Sequence, residues 1–168
     1  PNIRISLSDT VTGDSAFTFD FSSEWSMWGW IYTDSTKNYS SAFGFRESSA
    51  NDYIGLGVDS TASNLKLLSN GETPASGSSL LDNTWTFVGV RWDGSEFEVM
   101  KNENVDYTVS PSGTNWQASN RVLFGLNPAS ADRFRGGVTG VALVGQYVDQ
   151  WQRIYDEAQR GFPDLLRA

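Results

Sequence analysis

The run Trp85-Thr86-Phe87-Val88-Gly89-Val90-Arg91-Trp92 and the run Glu96-Phe97-Glu98-Val99-Met100 each alternate between two faces. Side chains on a strand point to opposite sides with a period of two, so this pattern fits pleated strands and not a helical stripe. Val88, Val90 and Trp92 share one face of the first run; Phe97 and Val99 share one face of the second. The Asp93-Gly94 pair between them is a strong hairpin signal. A two-residue loop there predicts Trp92 opposite Ser95, Arg91 opposite Glu96, Val90 opposite Phe97 and Val88 opposite Val99, with Glu98 facing Gly89. That register keeps every apolar partner on one face.

The same grammar recurs along the chain. Phe17 to Phe21 alternates with aromatics on one side, and Val122 to Leu126 and Val138 to Val144 read as further strands. Turn signals fall between the runs at Thr12-Gly13-Asp14, Ser69-Asn70-Gly71, Asp93-Gly94-Ser95, Pro111-Ser112-Gly113 and Asn127-Pro128. Short strands punctuated this regularly predict an all-β sandwich. The last part changes period. Trp151, Ile154, Tyr155 and Ala158 repeat at i, i+3, i+4 and i+7, one apolar stripe of a helix. Asp149 is placed to cap it, and Gly161 and Pro163 to end it near Arg160. The expectation is one domain over 1–168, with an N-terminal strand or arm at 1–16, a short helix at 149–160 and a tail at 161–168.

Composition removes whole classes of chemistry. The 168 residues contain no Cys and no His. Disulfides, thiolate nucleophiles, Ser-His-Asp triads and histidine-zinc sites are therefore excluded. The formal net charge of −8 disfavours nucleic acid as a partner. No apolar run reaches membrane-spanning length, so no membrane insertion is expected. The first residue, Pro1, fits a chain whose initiator methionine was removed, and fits equally a boundary cut from a longer chain.

Three segments carry a family resemblance. They are Trp25-Ser26-Met27-Trp28-Gly29-Trp30-Ile31-Tyr32, then Asp82 to Asn102, and Phe134-Arg135-Gly136-Gly137-Val138-Thr139-Gly140-Val141-Ala142-Leu143-Val144. With these the chain, from Phe17 to Arg160, resembles the concanavalin A-like lectin/glucanase jelly rolls, in their laminin-G-like and pentraxin-like branch. The resemblance implies an antiparallel two-sheet jelly roll, often followed by a short helix, and usually a binding role without catalysis. Ligands in the family are often sugars, sometimes proteins, and some members hold calcium. Two departures stand out. Asn102-Glu103 replaces an Asn-Gly turn, so that turn must differ, and Thr139 and Gly140 stand where acidic residues are common.

The candidate site residues follow from the strand Trp25 to Tyr32. If Trp25, Met27, Gly29 and Ile31 face the core, then Ser26, Trp28, Trp30 and Tyr32 face away from it. Trp30 has a family counterpart, explained by packing under a loop. Trp28 and Tyr32 stand where the family usually has polar residues, about 13 Å apart on one face. Three readings remain open for that strip: cover by a loop or by the C-terminal helix through Trp151 and Tyr155, a protein interface, or a platform that stacks on sugar rings. Trp116 is a separate candidate, a tryptophan in a polar loop. Asp59 and Asp132 are the aspartates that could meet at a rim to bind calcium, although solvated loop aspartates would look the same. No other cofactor is implied. Glu96 and Glu98 lie on one predicted face, but glycoside hydrolysis needs two acids about 5–10 Å apart across the bond, and the family's three-acid pattern is absent.

Two roles from different classes result. One is a lectin-like protein of a virus surface, such as a bacteriophage decoration or fibre component, docking on protein partners in an assembly, self-associating and reading host glycans. The other is a secreted carbohydrate-binding module. A glycoside hydrolase is a distant third.

Overall fold

The computed structural model describes residues 10–12, 22–33, 40–46, 53–59, 64–69, 77–111, 121–124, 134 and 136–167. Within them lie β1 (Thr10–Thr12), β2 (Trp25–Thr33), β3 (Ser40–Arg46), β4 (Tyr53–Val58) and β5 (Leu65–Ser69). They continue with β6 (Thr84–Trp92), β7 (Phe97–Lys101), β8 (Asn104–Val109), β9 (Arg121–Phe124), β10 (Gly136–Val144) and α1 (Trp151–Arg167). The strands form two five-stranded sheets, ordered β1-β9-β3-β4-β5 and β10-β2-β6-β7-β8. Every pairing is antiparallel. This is the all-β sandwich with a C-terminal helix that the residue pattern implied, in the two-sheet jelly-roll form that the family resemblance implied. The predicted strand Phe17 to Phe21 lies outside the described residues, as do all or part of the predicted turns other than Asp93-Gly94-Ser95.

The core sits between the sheets. Trp25, Met27 and Ile31 of β2, with Val88, Val90 and Trp92 of β6, meet Phe43, Phe45, Leu56 and Leu67 of the opposite sheet. The alternation therefore assigned each face correctly. Tyr107 on β8 ties the two sheets together, its hydroxyl accepting a bond from the Leu67 N–H at 2.7 Å. Burial pushes its phenol well above the ordinary tyrosine range.

The hairpin partners differ from the expectation. Trp92 pairs with Phe97, Arg91 with Glu98, Val90 with Val99, Gly89 with Met100 and Val88 with Lys101. The loop thus holds four residues, not two. The reason is the Asp93 carboxylate. One oxygen accepts bonds from the N–H groups of Ser95 and Glu96, both at 2.7 Å, and from the Ser95 hydroxyl at 2.9 Å. Gathering those donors closes a wider turn, in which Gly94 takes φ +94°. The same N–H groups, Glu96 first, hold the Asp93 carboxyl below its usual pKa. A slip of two residues preserves the face of every side chain, which is why the face assignment survives while the partners change.

The next turn departs from Asn-Gly as expected. Asn102 itself takes the left-handed conformation, at φ +52°. It also bonds back to β6: its N–H donates to the Phe87 carbonyl at 2.7 Å, and its Oδ1 accepts from the Phe87 N–H at 3.3 Å. Gly140 occupies a bulge in β10, where pairing with β2 shifts between Thr139 and Ala142. Its φ of +62° suits glycine and strains other residues.

The helix also differs from the expectation. Gln150, not Asp149, stands at its cap position, the Gln150 carbonyl accepting the first bonds from Arg153 and Ile154. The helix runs on through Gly161 and Pro163 to Arg167, past the expected end near Arg160, so residues 161–167 of the predicted tail are helical. Gly161 does not adopt the left-handed conformation with which a glycine ends a helix. Pro163 costs the helix one backbone bond without stopping it.

Where α1 docks, β6 is buried on both faces. Trp151 lies over Gly89, and a Cβ there would overlap its indole ring and crowd the Met27 carbonyl at 2.9 Å. The Trp151 Nε1–H donates to the Asn102 carbonyl at 2.6 Å. Gly89→Val is expected to lower stability by about 3 kcal/mol through overpacking. Thermal denaturation measures the loss, and a red shift of tryptophan emission reports the displaced indole.

Candidate functional site

Ser26 and Arg91 are cross-strand partners on β2 and β6, on the sheet face turned away from the core. Both are buried, and both grip the segment leading into α1. The Ser26 hydroxyl donates to the Gln146 carbonyl at 2.9 Å and accepts from the Val148 N–H at 3.0 Å. Arg91 Nη1 donates to the Val148 carbonyl at 2.8 Å. Its Nη2 pairs with Glu98 Oε2, which also accepts the Tyr147 hydroxyl. The guanidinium carbon lies 4.7 Å from the centre of the Tyr147 ring. Buried polar groups have to be satisfied in this way, so these bonds fix where the 146–148 segment runs.

That segment delivers α1 onto the aromatic face. Trp30, Phe87, Met100 and Trp151 form a second buried cluster, with Trp28, Trp85, Ile154, Tyr155 and Ala158 packed against it. Trp151 meets Phe87 at 5.5 Å between ring centres and Trp28 edge-on at 6.4 Å and 87°. Of the three readings of the aromatic strip, cover by the C-terminal helix through Trp151 and Tyr155 is the arrangement found. Trp30 packs under this helix, not under a loop.

The cover is incomplete at Trp28, which is half-buried. A groove of about 510 Å³ opens on one side of it, between the 144–150 segment and the start of α1. Val144, Gln146, Tyr147, Asp149, Gln150 and Arg153 contribute to its walls. A smaller groove of about 280 Å³ runs the other way, bounded by Trp30, Gly140, Ala158 and Gly161. Trp28, Ile154 and Glu157 line both. The arrangement offers an aromatic wall with carbonyl, amide, phenol, carboxylate and guanidinium groups around it, on a rigid sheet-and-helix base.

The other candidates lie elsewhere. Tyr32 is separated from this groove: its ring packs on Trp85 at 5.5 Å and its hydroxyl donates to Asn83 Oδ1 at 3.1 Å. Trp116 and Asp132 lie outside the described residues. Asp59 is buried, its N–H bonded to the Asn64 carbonyl at 3.1 Å. Among the described residues no three acidic side chains come together as a metal site would require. Glu98, expected opposite Gly89, is the actual partner of Arg91, and Glu96, in the loop, accepts a bond from the Ser110 hydroxyl at 3.2 Å. Glu98 is thus engaged by two donors, Arg91 and Tyr147. The sequence reading missed Tyr147, Arg153, Glu157, Gly140 and Gly161. The i, i+4 spacing of Arg153 and Glu157 was the available signal.

A laminin-G-type model of the concanavalin A-like lectin/glucanases superfamily matches residues 6–150. The chain belongs to this superfamily. No curated protein matches it in sequence. Among solved structures it is similar to domain 4 of AbnA, a GH43 extracellular arabinanase from Geobacillus stearothermophilus, in complex with arabinotriose. That match has a TM-score of 0.64 at 19% identity and covers 81% of this chain and 66% of the other. It is also similar to the CBM40 of Ruminococcus gnavus IT-sialidase bound to alpha2,3 sialyllactose, with a TM-score of 0.61 at 8% identity over 86% and 92%. Trypanosoma rangeli sialidase matches with a TM-score of 0.64 at 15% identity over 83% of this chain, which spans only 23% of that enzyme. These likenesses establish the fold of the superfamily member. Among the described residues no helix is long and apolar enough to cross a membrane.

The Tyr147 phenol is pushed up to about 12, first by burial and then by its bond to the Glu98 carboxylate. A raised pKa means the neutral phenol stabilises the fold below its ordinary value of 10.0, and that this contribution is lost as pH climbs toward about 12. Absorbance titration of Tyr147→Phe is expected to show one fewer late-ionising phenol than the unaltered protein. Glu98→Gln is expected to bring that ionisation to lower pH.

Proposed function

We propose that this protein is a non-catalytic carbohydrate-binding domain and that sugar is held against Trp28 in the groove beside α1. The observation that carries the reading is the half-buried Trp28 indole standing between two grooves on a fixed base. Sugar rings carry apolar C–H faces and polar edges. They are bound by an aromatic surface for the face and a few placed hydrogen-bonding groups for the edge. The larger groove supplies both: the Trp28 ring, and Gln146, Tyr147, Asp149, Gln150 and Arg153 around it. The arabinanase domain and the CBM40 that share the fold were each solved with a glycan bound, which supports the same role here. Of the roles raised by the sequence, the carbohydrate-binding one therefore has this support. The engagement of Glu98 by Arg91 and Tyr147 supports a role without catalysis.

A glycan array probed with the purified protein tests the reading. Binding to at least one glycan class is expected, and Trp28→Ala is expected to weaken it by about tenfold or more. Thermal denaturation of the variant checks that α1 remains docked. Among the described residues the groove's carboxylates are Asp149 and Glu157, and Glu157 is paired with Arg153, so binding is expected to be the same in calcium and in chelator. Retained affinity in a folded Trp28→Ala protein would contradict the assignment of this groove.

A further inference from the structure

We infer that the ligand is an uncharged oligosaccharide of at least two rings lying lengthwise along α1, across both grooves. The inference rests on the carbohydrate reading above and specifies it.

The length follows from the layout. The two grooves share Trp28, Ile154 and Glu157 as lining, so they adjoin at the tryptophan and extend past it on both sides, and together they make the proposed trough. One end lies at the start of the helix, beside Tyr147 and Arg153. The other lies two turns further on, beside Ala158 and Gly161, against the β10 bulge at Gly140. A single ring stacked on Trp28 would leave one end open, whereas a chain of two or more rings contacts both. The far end is walled by glycine on two sides. Gly140 is held at φ +62° by its bulge, and a Cβ added at Gly161 would meet no atom within 4 Å. Absence of side chains at both places leaves the trough open for backbone-close approach of a ligand.

The charge preference follows from the rim. Among the described residues Arg153 is the cation that lines the trough, and its Nε is bonded to Glu157 Oε1 at 2.9 Å. Asp149 adds a second carboxylate. Arg91, beneath the segment, is buried and already bound to Glu98 and to the Val148 carbonyl. The rim therefore carries a net negative charge, on a chain whose formal charge is −8. A sialylated or uronic sugar would bring a further carboxylate into it, and like charges repel most where they approach within the screening length of about 8 Å in physiological salt. Neutral chains carry no such penalty.

The test uses a glycan array in which each neutral chain is printed beside its sialylated form, with lactose and alpha2,3 sialyllactose as one such pair, and neutral chains from one to four rings. The expected result is binding that rises from one ring to two or three, with each sialylated form weaker than its neutral partner by about tenfold. Two variants sharpen it. Gly161→Leu puts a side chain into the open far end while improving helix propensity, so its melting temperature is expected to be no lower and its affinity for trisaccharides about tenfold weaker. Glu157→Lys reverses a rim charge and is expected to narrow the gap between neutral and sialylated partners. Equal or stronger binding of sialylated forms would overturn the charge preference. An unchanged trisaccharide affinity in Gly161→Leu would overturn the lengthwise placement. Failure of the unaltered protein to bind any glycan would overturn the carbohydrate reading itself.

Discussion

The indole of Trp151 seated over Gly89 is the contact on which the outer half of this structure depends. A glycine in the middle of β6 is a local weakness, since it packs nothing and costs conformational entropy. Here the missing side chain is the socket. It lets a large ring come close to the strand backbone, reach Phe87 at 5.5 Å and donate to the Asn102 carbonyl at 2.6 Å. Asn102 in turn holds its left-handed turn through two bonds to Phe87. Helix, strand and turn are thus fixed by one another, and any one of them altered loosens the other two.

The second anchor lies one turn away. Ser26 and Arg91 satisfy the carbonyls of Gln146 and Val148 and the Val148 N–H, so the chain cannot enter the helix at another height. The two anchors together decide how much of the aromatic strip α1 covers. It buries Trp30 fully and Trp28 only in part. The trough on either side of Trp28 is the gap between a helix placed by these anchors and the β10 edge, which carries the bulge at Gly140. Its openness is thus a consequence of fold constraints, and the proposed ligand uses space that the fold already leaves.

Much of this was legible in the residues. The period-two alternation assigned the inner and outer faces of β2, β6 and β7, because burial on one face is a strong constraint and every residue in the run reports it. The stripe Trp151, Ile154, Tyr155, Ala158 identified the helix and its contact side for the same reason. Register was not legible. It turned on one carboxylate, Asp93, gathering two N–H groups, and an Asp-Gly pair serves a two-residue and a four-residue loop equally well. The helix end was misplaced because Gly161 and Pro163 lower helix propensity without forbidding a helix. The trough could not be read at all, since its walls come from residues far apart in sequence, and its emptiness depends on glycines whose role is to have no side chain there.

The most direct test of the account is the response of the tryptophan indole signals in a heteronuclear NMR titration with a panel of neutral trisaccharides. The chain has seven tryptophans, so the reporters include ones in the core, under the helix and in the trough. The Trp28 indole is expected to shift with at least one trisaccharide, with smaller changes at Trp151 and none at Trp25 and Trp92 in the core. A titration in which Trp116 responds and Trp28 stays still would contradict it.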